Sequence, residues 1–126
     1  MHSEKRLKRY KKLIWKDQNN NTLNYRLLEP DNIQKDRKHP ILFFLHGADG
    51  RGSNNEGQLK DAGSISAFSK QNISSKYNSY ILAPQVSNDK KWVDVEWNTM
   101  EHNMPKISKT MNMAFKILDK VIDTNP

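Results

Sequence analysis

Residues 41–57 read ILFFLHGADGRGSNNEG, from Ile41 to Gly57. The first five are apolar without a polar interruption, the length of one strand, and this pattern suits a strand covered on both faces. Gly47, Gly50, Gly52 and Gly57 then fall within eleven residues, a density that only a loop with unusual backbone angles requires. The strand therefore ends abruptly in a glycine-rich turn. Such a turn either cradles phosphate oxygens or presents backbone N–H groups to a developing oxyanion.

The flanking sequence supplies the rest of an α/β sheet. Upstream, Lys12–Lys16 and Thr22–Leu28 are rich in strand formers and are separated by Asn19-Asn20-Asn21, which predicts an antiparallel hairpin. Residues 29–40, EPDNIQKDRKHP, carry two prolines among mostly charged side chains and read as an exposed connection. Downstream, Leu59, Ala62, Ile65 and Phe68 predict a short helix over 58–71, weakened by Gly63. Tyr80–Ala83, closed by Pro84, reads as a second buried strand, and 91–103 as a loop. Ile107, Met111, Ala114, Phe115, Leu118, Val121 and Ile122 recur at three- and four-residue spacing, with Lys109, Asn112, Lys116, Asp119 and Asp123 opposite. This is an amphipathic helix, opened by Ser108 or Pro105 and closed by Asn125-Pro126.

Composition bounds the function. The chain has 126 residues, of which 35% are hydrophobic, no cysteine, and a net charge of +7; its mean hydropathy is −0.93. It is one domain at most, with a thin interior for its size. Seven basic residues and one acid fall in the first sixteen positions, so the other 110 carry a net charge of only +1. The basic character belongs to an N-terminal arm, drawn at residues 1–11, ahead of a partial α/β domain at 12–126. No apolar run approaches the length of a membrane span or of a signal-peptide core, so with Met1 as the start the chain is expected in the cytoplasm. Disulfides and thiolate metal sites are excluded.

The glycine spacing selects among chemistries. A Walker loop needs a lysine and a hydroxyl after its last glycine, whereas Ala48, Arg51, Ser53 and Gln58 follow the glycines here, and GxGxxG fails as well. An apolar strand ending in Leu45-His46-Gly47 instead matches the place where α/β-hydrolases set the amide donors of the oxyanion hole. Together with Tyr25-Arg26-Leu27, Leu82-Ala83-Pro84-Gln85, a Trp-containing loop and the closing helix, it resembles the N-terminal half of the α/β-hydrolase esterases. These are the enzymes related to polyhydroxybutyrate depolymerases, feruloyl esterases and dienelactone hydrolases. The resemblance covers about residues 22–123. It departs from the family at Asp49, usually a small residue there, and at Asn54, where Asp is common. No glycine follows Gly63, so the GxSxG nucleophile elbow is absent, and with it a recognisable serine, acid and histidine.

The resemblance implies a truncated α/β-hydrolase sheet that supplies one half of an oxyanion hole, from Gly47 and Ala48, with Asp49, Trp92 and Trp97 bordering a substrate cleft. It implies a small-molecule ester substrate once the missing half is supplied, no metal and no organic cofactor, and inactivity of this chain alone. The resemblance implies a loop-shaping role for His46, and a base is not expected there, since a base needs an orienting partner and a nucleophile in reach. Asp94 and Glu96 read as surface carboxylates, because no ligand spacing accompanies them. The serines beside the glycine loop, Ser53, Ser64 and Ser66, sit in no elbow. Two rival readings remain: a small basic binding module whose arm contacts nucleic acid or an acidic partner, marked by steep salt dependence, and a relic without function.

Overall fold

The computed structural model describes residues 9–30, 33, 38–47, 50–60, 78–92 and 107–124. Its elements, in chain order, are β1 (Lys11–Lys16), β2 (Thr22–Leu28), β3 (Ile41–Phe43), α1 (Gly57–Lys60), β4 (Tyr80–Gln85) and α2 (Lys109–Thr124). The four strands form one sheet in the order β1-β2-β4-β3. β1 with β2 and β2 with β4 run antiparallel, and β3 with β4 runs parallel.

The predicted hairpin is present, and its turn rests on a residue outside the asparagine cluster. The Asp17 carboxylate accepts the backbone N–H groups of Asn19 (2.9 Å) and Asn21 (2.8 Å) and the Asn21 amide (3.1 Å). Asn20 takes a left-handed φ of 66°, a conformation that asparagine tolerates better than most residues. The strand begins at Lys11, and Tyr10 before it is buried.

β3 differs from expectation. It is three residues long, half-buried and at the sheet's edge, whereas its apolar run suggested a strand of five covered on both faces. The fully covered strand is β4, buried along all six residues. It continues through Pro84 to Gln85 instead of stopping at the proline. Tyr80 N–H donates to Pro40 O and Phe44 N–H to Leu82 O, so alternate β4 residues, Pro84 among them, direct their backbone groups toward β3. Phe44 N–H makes the last bond to β4 among the described residues, and beyond it the N–H that proline lacks is not needed.

The sheet is covered on both faces. On one face Leu23, Tyr25, Leu27, Tyr80 and Leu82 pack with Met113, Ala114, Ile117 and Val121 of α2; on the other Leu28, Ile81 and Ala83 pack with Tyr10 and Leu59. Ser108 caps α2 as expected, its Oγ accepting Met111 N–H at 3.0 Å. The helix starts beside the C-terminal end of β4 and runs back along the sheet. Its buried stripe is Thr110, Met113, Ala114, Ile117 and Val121, while Phe115 and Ile122, expected on that stripe, are 41% and 48% exposed. Of the helix predicted over 58–71, residues 58–60 fall among the described residues, as part of α1. Most of the 91–103 loop lies outside them, as do Asn125 and Pro126.

Candidate active-site loop

The glycine loop leaves β3 at the C-terminal end of the parallel pair and is anchored first by His46. Val86 N–H donates to His46 Nε2 at 3.0 Å, and His46 Nδ1 lies 2.5 Å from Gly47 O. The first contact makes Nε2 an acceptor, so the proton sits on Nδ1 and is donated to the Gly47 carbonyl. Both ring nitrogens are thereby occupied and the ring is 3% exposed, which fits a loop-shaping histidine and not a general base. Trp92 braces the same residue. Its indole N–H donates to His46 O at 3.0 Å, and the two rings lie 5.3 Å apart.

The glycines answer to close packing. A Cβ on Gly50 would stand 2.7 Å from the His46 ring, and one on Gly57 would stand 2.7 Å from Gly50 O. Gly50 N–H donates to Gly47 O (3.1 Å) and Gly52 N–H to Val86 O (2.9 Å), so the loop is stitched to itself and to the strand it overhangs. Asn54, the departure from the family's Asp, uses its side-chain oxygen alone in these bonds. It accepts Glu56 N–H, Gly57 N–H and the Gln85 amide at 3.0–3.2 Å, a role that a carboxylate oxygen fills equally.

Under the loop lies a buried polar network. Gln85 Oε1 accepts Asn55 N–H at 2.7 Å, and Gln85 Nε2 donates to Gly50 O at 3.0 Å. Asn55 Nδ2 donates to the carbonyls of Leu13 and Tyr25, each at 3.0 Å, and Asn55 Oδ1 accepts the Gln58 amide at 2.7 Å. Arg26 Nε donates to Asn55 O at 2.6 Å and Arg26 Nη1 to Tyr10 O at 3.2 Å. Burial disfavours the Arg26 charge and Glu56 supports it, leaving its pKa below the ordinary value. The network ties the loop to both β2 and β4. The sequence marks none of the four as a buried anchor: Arg26 and Gln85 stand only within the stretches that carry the resemblance, and buried polar side chains follow no period.

Of the predicted site residues, the structure brings Gly47 and Trp92 together on His46. Ala48, Asp49 and Trp97 lie outside the described residues. A separate cavity of about 320 Å³ opens between the β1–β2 turn, the end of β4 and the start of α2, lined by Asn24, Gly52, Ser53, Gln85, Ser87 and Thr110 among others. Neither Gly47 nor Trp92 lines it. No cluster of three or more potential metal ligands occurs among the described residues, nor is any helix among them long and apolar enough to cross a membrane.

The chain superposes on a thermostable esterase with a TM-score of 0.81 at 26% sequence identity, covering 94% of this chain and 32% of that one. A CE1 ferulic acid esterase from the anaerobic fungus Anaeromyces mucronatus, solved in the absence of substrate, aligns over 91% of this chain and 41% of that one, at 18% identity and a TM-score of 0.49. No protein-family model and no curated protein matches the chain. The chain thus spans about a third of the thermostable esterase's length. Its fold is esterase-like α/β, the N-terminal portion of an α/β-hydrolase sheet.

Proposed function

We propose, from this esterase-like fold, that the chain is the N-terminal portion of a serine carboxylic-ester hydrolase and that its part in the reaction is the oxyanion-hole loop at Gly47 and Ala48. The observation that carries this reading is the clamp on His46, which fixes the backbone immediately ahead of those two residues at the C-terminal end of a parallel strand pair. When a serine attacks an ester carbonyl, charge develops on the carbonyl oxygen, and backbone N–H groups held in place beforehand stabilise it without reorganising. Asp49, Trp92 and Trp97 border the cleft that receives the ester. The serine, base and acid come from a segment with a GxSxG elbow, which this sequence lacks, so the chain alone does not turn over esters. Its substrate when completed is a small-molecule ester, and a serine acyl-enzyme route calls for neither metal nor organic cofactor.

The test is reconstitution. Residues 1–126 are assayed with p-nitrophenyl acetate alone and after co-expression with the part of the thermostable esterase that lies beyond the aligned third. Alone they should show no turnover above background, and the pair should be active. Ala48→Pro removes one amide N–H and should lower kcat of the pair by about 10²–10³-fold with little change in KM. Turnover by residues 1–126 alone, or a pair indifferent to Ala48→Pro, refutes the assignment.

A further inference from the structure

The β1–β2 turn, the end of β4 and the start of α2 meet around the cavity of about 320 Å³, a volume at the lower end of the range for small-ligand sites, roughly 300–1,000 Å³. Its walls are tied to one another. Asn24 Nδ2 donates to Ser53 O at 3.1 Å, which joins β2 to the glycine loop, and Gly52 N–H donates to Val86 O at 2.9 Å, which joins that loop to the end of β4. On the remaining side Ser108 caps α2 and donates to Trp92 O at 2.6 Å, so the helix start is held in place. The cavity stands apart from the ester chemistry, because neither Gly47 nor Trp92 lines it.

Charge on these walls has one sign. Lys90 and Lys109 line the cavity, and among the described residues no aspartate or glutamate does. Neither ammonium enters a salt bridge with those residues. The acids that feel the two lysines are held elsewhere: Asp17 by the amides of Asn19 and Asn21, and Asp89 by Ser87 Oγ at 2.7 Å. Hydrogen-bond donors stand on the same wall. Ser108 O accepts Asn112 N–H and Ser108 Oγ accepts Met111 N–H, whereas the N–H groups of Lys109 and Thr110, one turn earlier, have no acceptor among the described residues. They carry the positive end of a 16-residue helix.

A helix start alone makes no site, and Thr110 supplies the independent mark. It is 5% exposed and lines the cavity. Its hydroxyl has no protein partner among the described residues, yet it is not sealed off, which leaves the cavity as its outlet. A hydroxyl buried this far is ordinarily hydrogen-bonded, so its partner comes from the cavity. We propose that this cavity binds a phosphate group, held by the Lys109 and Thr110 N–H groups, the Thr110 hydroxyl and the ammonium groups of Lys90 and Lys109. The choice over a carboxylate follows from the donor set. Two cations match a dianion, and donors of three kinds match three terminal oxygens, whereas a carboxylate brings one charge and two oxygens.

Titration followed by NMR tests this on residues 1–126 at about pH 7.5, where a phosphate monoester is mostly dianionic. Inorganic phosphate should shift the amides of Lys109 and Thr110 saturably, while sodium chloride at the same ionic strength leaves them in place. Lys90→Gln with Lys109→Gln should weaken binding about tenfold, and Thr110→Val about threefold. Both lysines are exposed, so the double variant decides the matter should Thr110→Val fail to fold. Lys120→Gln, the same loss of charge toward the far end of α2, should leave binding unchanged. Phenyl phosphate distinguishes the sources of the group. Binding about tenfold tighter than that of inorganic phosphate seats an organic remainder in the cavity, and equal binding assigns the site to the free ion. The proposal is overturned by the absence of saturable shifts, by shifts centred away from the start of α2, by acetate binding as tightly as phosphate, or by a double variant that binds like the unaltered chain.

Discussion

At the scale of single residues, the loop is held by polar side chains that are buried and satisfied at several points at once. Asn55 is the clearest case, with its amide and backbone N–H joining β1, β2, α1 and β4 and its φ at 56°. Asn55→Ala would strand two strand carbonyls and force alanine into the left-handed region, and should cost about 2–4 kcal/mol in urea unfolding. Asp17 makes a pH-dependent contribution. Desolvation raises its pKa, but the hydrogen bonds from Asn21 and Asn19, together with Lys109, outweigh it and hold the group below the ordinary 3.8. A carboxyl whose folded pKa is depressed stabilises the fold above its unfolded value, and the contribution is lost as pH falls through the folded one. Stability measured by urea titration should therefore fall with acidification below pH 3.8, and Asp17→Asn should flatten that part of the profile. His46 was legible as a loop former through the resemblance that Leu45-His46-Gly47 helps to carry. The anchoring roles of Asn55 and Gln85 were not, because a buried amide in a loop or at a strand's end looks in sequence like any solvated one.

Among the elements, those with a strong period were readable and those shaped by neighbours were not. The runs of strand formers on either side of Asn19–Asn21 marked the hairpin, and the spacing from Ile107 marked α2, with Ser108 one of two residues that could open it. Ser108 does two jobs, since its Oγ also donates to Trp92 O at 2.6 Å and so ties the helix start to the loop brace. Ser108→Ala should lower stability by about 1–2 kcal/mol, seen as a lower urea midpoint with unchanged slope. The run from Ile41 to Leu45 misled for a physical reason. Composition reports how apolar a strand's surroundings are meant to be, whereas exposure depends on which strands stand beside it. The same holds for Phe115 and Ile122, apolar at helical spacing yet turned from the only face that α2 covers. Pro84 misled in the other direction, because its tolerance depends on where β3 leaves the ladder.

For the molecule as a whole, the core divides between the two faces of the sheet. Among the described residues, nine buried hydrophobic residues form the α2 face's cluster. Five form the cluster on the opposite face, Tyr10, Leu28, Leu59, Ile81 and Ala83, two of them from outside the sheet. Tyr10, 2% exposed, is the largest of these, and its backbone carbonyl also receives Arg26. Tyr10→Ala should cost about 3–5 kcal/mol, the range for emptying a buried aromatic site, and calorimetry should show a corresponding drop in Tm.

The sheet order also has a consequence for synthesis. β3 precedes β4 in the chain but has no other partner in the sheet among the described residues, and 36 residues separate Phe43 from Tyr80. At a translation rate of about 5–20 residues per second, the nascent apolar strand waits about 2–7 seconds before its mate is made. Lys35, Arg37, Lys38 and Pro40 on one side, and the glycine run on the other, flank it as gatekeepers against premature pairing between polysome neighbours. Slow codons between these two strands would lengthen that wait, and the yield of folded chain should fall with it.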